Sequence, residues 1–97
     1  MRILSIAFAF CILQGCSKDA LETRYATVVY TGTFANGGCE WAISIDSDLF
    51  QPRNLPAEFQ TDGLNVQVTY RLVQTTAECP NAQNYGGLIH LNRIKRV

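Results

Sequence analysis

The sequence predicts an all-β domain, and three observations carry that reading. Val, Ile, Thr and Tyr gather in short runs, two of which alternate apolar with polar residues at the period of a half-buried strand. Gly, Asn, Asp and Pro cluster between those runs, where turns need them. Almost nothing reads as helix. Five short strands with one longer break suggest a small barrel or sandwich. Closure into a barrel also removes the unpaired edges that invite aggregation. The expected architecture is therefore a small five-stranded OB-like barrel, with a small β-sandwich or an open meander as the alternative.

Each element has its own justification. Residues 24–33 (RYATVVYTGT) are rich in Val, Tyr and Thr and predict the first strand. Phe34-Ala-Asn-Gly-Gly38 predicts a turn, because Asn-Gly-Gly supplies positive φ at low cost. Residues 40–46 (EWAISID) alternate, with Trp41, Ile43 and Ile45 on one face and Ala42, Ser44 and Asp46 on the other. Asp46-Ser47-Asp48 reads as a hairpin turn, and Leu49-Phe50-Gln51 as a short returning strand.

Residues 52–63 break the pattern with Pro52 and Pro56 and predict a loop, with one helical turn at 57–61 and with Leu55 and Phe59 as its anchors. Residues 65–73 alternate again, which places Val66, Val68, Tyr70 and Leu72 inward and Gln67, Thr69 and Arg71 outward. Residues 74–87 are polar and turn-rich, and residues 88–97 (LIHLNRIKRV) form the last strand.

Ahead of this domain lies Met1-Arg2, an uncharged apolar run from Ile3 to Leu13, and then Gln14-Gly15-Cys16. Arg2 and the α-amino group make a positive n-region, and the apolar run makes an h-region. Eleven residues are too few to cross a hydrocarbon core that needs about 20. Leu13-Gln-Gly-Cys16 resembles the lipobox of bacterial lipoproteins, with Gln14 in place of the usual small or aliphatic residue. The resemblance implies that the Cys16 thiol carries a diacylglycerol and that the signal is cut between Gly15 and Cys16. Residues 1–15 would then be removed, 16–23 would be a tether, and 24–97 would fold. The implied partner is the membrane, reached through lipid on Cys16. The implied location is the bacterial cell envelope. Ser17 after the Cys points to the outer membrane, with the periplasmic or surface face left open.

The remaining 82 residues suffice for one small domain, which buries only roughly 60–65% of its unfolded surface. Without Arg2 the charge is seven Lys and Arg against eight Asp and Glu. No basic face or arginine cluster is visible in the sequence, so nucleic acid is not an expected partner. Of the four cysteines, Cys11 leaves with the signal and Cys16 takes lipid. Cys39 and Cys79 are left in an oxidising compartment, where a structural disulfide is expected. Free thiols, a redox pair or metal ligands are the alternatives.

Gly38-Cys39-Glu40-Trp41-x-Ile43, Asn54-Leu55-Pro56-x-Glu58-Phe59, Asp62-Gly63-Leu64-x-Val66-x-Val68-x-Tyr70 and Cys79 together resemble small Bacteroidota lipoproteins, over roughly residues 37–94. The first block is often Gly-Cys-Gly-Trp in that group, so Glu40 departs from it. The resemblance implies an OB-like barrel and a Cys39–Cys79 bridge with Trp41 packed nearby. It brings no catalytic residues with it.

No constellation in the chain reads as catalytic. His90 is the single histidine, and strand spacing puts only Leu88 and Asn92 on its face. Asp46 and Asp48 are too few oxygen ligands for calcium. Glu58 and Asp62 read as a solvated face, and no serine has a nucleophile-elbow context. No cofactor or metal is expected. Most aromatics belong to the core, while Phe34 and Tyr85, both in loops, are candidates for an exposed binding surface. The expected role is a non-enzymatic binding or accessory module that meets a glycan or an envelope protein. The alternatives are an enzyme inhibitor presenting the 74–87 loop, or a small enzyme.

Overall fold

The computed structural model describes residues 20–97. The expected signal peptide, with Gly15, and the first half of the tether, with Cys16, lie outside the described residues. The strands are β1 (Glu22–Gly32), β2 (Glu40–Ile45), β3 (Asp48–Pro52), β4 (Asn65–Gln74) and β5 (Gly87–Arg96). Single 3-10 turns occupy Phe34–Asn36 and Ala57–Phe59. β1 starts at Glu22, two residues before the expected Arg24, and the other strand bounds agree with the sequence reading to within one residue.

The strands close in the order β1-β2-β3-β5-β4, with β4 returning to β1. Every pairing is antiparallel except β3 with β5. A parallel pair needs a crossover, and here the crossover contains the 3-10 turn and β4. The result is the closed all-β barrel that the sequence predicts, of OB-like form.

Alternation builds the core. Val28, Ile43, Val66, Val68 and Ile89 are fully buried, and Phe59 from the 3-10 turn packs into the same cluster. Burial of each such side chain contributes about 1.5–3 kcal/mol. Leu55 packs against the cluster too, so both expected anchors of the 52–63 loop are in place. Asn54 extends the parallel pairing with its side chain: its Oδ1 accepts from Leu91 N at 2.8 Å and its Nδ2 donates to Leu91 O at 2.9 Å.

Leu72 departs from the alternation. It was expected inward, yet it is 37% exposed. The register of β4 against β5 shifts between Leu72 and Gln74, and a bulge of this kind re-aims the side chains beside it.

A second buried group lies apart from the barrel core. Ala42, Cys39, Leu88 and Cys79 are all buried, but none belongs to the core cluster. Ala42 and Leu88 point out of the wall, since their neighbours Ile43 and Ile89 point in. Residues 75–86, here called the strap, account for this. Glu78 N donates to Gln51 Oε1, Gly86 N to Leu49 O and Asn81 Nδ2 to Gly37 O. Cys79 and Cys39 stand at disulfide distance, with Cα atoms 5.3 Å apart. The strap thus lies against the outside of β3, with Cys79 at the entry to β2.

Candidate functional site

The mixed aromatic and polar site forms where β1 ends. Tyr30 near that end pairs across the sheet with Trp41 at the start of β2. Their rings meet edge to face at 4.9 Å, a geometry that holds the indole against the half-exposed phenol. Two residues on, Gly32 pairs with Glu40 through a bulge. Glu40 there has φ +61°, a left-handed conformation uncommon for a residue with a side chain. Thr31 stabilises it, because its hydroxyl accepts from Cys39 N at 2.9 Å and donates to Glu40 O at 3.2 Å. Gly38 has to be glycine for a separate reason: a Cβ there would strike the Thr31 and Gly32 backbone.

These turns shape a depression of about 200 Å³. Phe34, 50% exposed, and Trp41 supply its aromatic surface. Glu40, Gln51, Arg53 and Gln60 bring polar groups to it from β2, β3 and the segment beyond. The Arg53 guanidinium is held from behind, its Nε donating to His90 Nδ1 at 3.2 Å. Desolvation, and then the charges of Arg53 and Arg71, hold the His90 imidazole below its ordinary pKa of 6.5. His90 is thus a neutral acceptor that orients Arg53.

The other candidates take separate roles. Asp62 Oδ1 accepts from Tyr30 N at 2.8 Å, and Glu58 O accepts from Arg96 Nη2 at 2.7 Å. Neither they nor His90 lines the Phe34–Trp41 depression. Asp46 and Ser47 form the β2–β3 turn, both with positive φ, and Asp46 pairs with Arg24 at 2.7 Å. Tyr70 Oη donates to Glu22 Oε1 at 3.2 Å, and its pKa is raised by burial first and by the Glu22 charge second. Among the described residues no three His, Cys, Asp or Glu side chains gather as a metal site.

Tyr85 is half-buried and lines a different depression of about 330 Å³ formed by the strap itself, so it and Phe34 do not form one patch. Phe34 shares its depression with Trp41, which also packs against the core as the sequence reading expected. One signal for this site was present in the sequence: Phe34, read as an exposed loop aromatic, is exposed and lines it.

Comparison of the chain with protein-family models, with curated proteins and with solved structures finds no match.

Proposed function

We propose that the protein is an envelope lipoprotein, anchored through lipid on Cys16, whose barrel is a binding module for a glycan rather than an enzyme. The observation that supports the binding reading is the joint presence of Phe34 and Trp41 with Glu40, Gln51, Arg53 and Gln60 around one depression. Aromatic faces pack against the C–H faces of a sugar ring, while carboxylate, amide and guanidinium groups hydrogen-bond its hydroxyls. A small apolar surface with a few placed polar groups is the general form of a ligand site. The lipobox supports the anchor. The tether enters at Glu22, and the depression flanks the other end of β1, which favours presentation of the site away from the anchor.

Trp41 is the single tryptophan and reports on the site directly. Titration with peptidoglycan fragments and bacterial surface oligosaccharides should shift its emission saturably, and Phe34→Ala should weaken binding at least tenfold. A panel that never shifts the emission, or a Phe34→Ala protein that binds like the parent, refutes the glycan reading. The anchor is tested separately: Cys16→Ser should abolish labelling by a fatty-acid probe, and persistent labelling refutes it.

A further inference from the structure

We infer that the outer face of β1, β4 and β5 docks on an anionic phospholipid surface, the surface to which the tether holds the domain. This rests on the proposed lipid anchor at Cys16. The face is assembled by register. Val66, Val68 and Tyr70 point into the core, so Gln67, Thr69 and Arg71 point out. Gln67 pairs with Lys95 on one side and Tyr25 on the other, and Thr69 pairs with Arg93 and Thr23. Arg71 pairs with His90. Arg71 thus joins Arg93 and Lys95, which lie on a different strand, on one surface. The linear sequence shows no basic face, and the barrel creates one.

Among the described residues, nothing on that face neutralises it. Its outward positions on β1, β4 and β5 hold Thr, Gln, Asn, Tyr, Arg, Lys and His, together with Val29, Val73 and the buried Leu88, and no carboxylate. The ion pairs of the described residues involve Arg24 only, with Glu22 and Asp46. Thr23 and Thr69 share a 2.9 Å hydrogen bond between hydroxyls, so these polar groups are tied to each other across the sheet. Tyr25, 70% exposed, adds an amphipathic ring of the kind that settles at headgroup depth.

The tether decides which occupant fits. Cys16 and Glu22 are six residues apart, so even full extension spans only roughly 21 Å. That keeps the start of β1 within about three Debye lengths of the headgroups at physiological salt even at full extension. Thr23 and Tyr25, on the first turns of β1 after the tether, belong to the cationic face. Docking therefore requires no reach beyond what the anchor imposes, and each basic residue near an anionic leaflet favours contact by roughly fivefold.

The test uses the mature chain, residues 16–97, with Cys16→Ser so that no lipid assists. It is sedimented with vesicles of phosphatidylcholine alone or with 30% phosphatidylglycerol. Binding should appear only with phosphatidylglycerol, should fade at high salt, and should weaken roughly 30-fold in Arg93→Gln/Lys95→Gln. Arg24→Gln, which removes a cation already paired with Glu22 and Asp46, should bind as the parent does. Both variants alter exposed side chains, and an unchanged unfolding midpoint verifies their folding. Equal binding to both vesicles, no binding by the parent, or full binding by the double variant overturns the inference. Fatty-acid labelling at Cys16 separates the two ideas. Labelling without phosphatidylglycerol-dependent binding removes the docking face and leaves the anchor. Binding without labelling removes the anchor and leaves the face.

Discussion

Cys39 and Cys79 stand 40 residues apart in sequence with Cα atoms 5.3 Å apart, and both are buried away from the barrel core. The pair joins the entry to β2 to the middle of the strap. Three hydrogen bonds, from Glu78 N, Gly86 N and Asn81 Nδ2, hold the same strap to the wall. The covalent link is therefore its principal restraint.

Cys39→Ala should lower the unfolding midpoint sharply under oxidising conditions, by up to roughly 4 kcal/mol on the chain-entropy model. Proteolysis should cut within residues 75–86 before the barrel unfolds, because the barrel core does not include the strap. An unchanged midpoint, or first cleavage elsewhere, counts against this assignment.

Glu40 and Ser47 sit at φ +61° and +74°, where glycine has no steric penalty. Ser47→Gly should stabilise the domain by about 1 kcal/mol, raising the midpoint by roughly 4–8 °C. Glu40→Gly should stabilise it by a similar amount and also weaken ligand binding, since Glu40 lines the Phe34–Trp41 depression. Calorimetry and tryptophan titration on the same two variants check both halves. Destabilisation by Ser47→Gly would show that the turn is not under strain.

His90 should titrate below 6.5 in the folded protein, and Arg53→Gln should move its midpoint upward, as read by NMR of the imidazole. Removing Arg53 leaves desolvation, the largest cause, and Arg71, so the return should be partial. The unfolded chain takes up the proton first as pH falls. The His90 contribution to stability therefore declines once pH drops below 6.5 and levels off below the folded midpoint. A midpoint unaffected by Arg53→Gln would mean that the 3.2 Å contact does not orient the guanidinium.

Much of the architecture was readable because strand physics is local. Alternation marked β2 and β4, Asn-Gly-Gly marked the β1–β2 turn, and Pro52 and Pro56 marked the break before the 3-10 turn at Ala57–Phe59. The misreadings share one cause. Leu72 kept the local period but met a bulge, which depends on the strand opposite. Ala42 shares the face of Ser44 and Asp46 by period, yet it is fully buried, on the wall whose β3 residues the strap contacts.

The sequence by itself determined the strands, the turns and the all-β class, since period and turn chemistry are properties of neighbouring residues. Only the tertiary structure decided which surfaces exist. Closure of β4 onto β1 and β5 set Arg71, Arg93 and Lys95 on one face. The β1–β2 pairing, with its bulge at Gly32 and Glu40, brought Trp41 and Phe34 to one depression. Both groupings join residues through cross-strand register, and register is settled by the packing of the whole barrel rather than by any one segment.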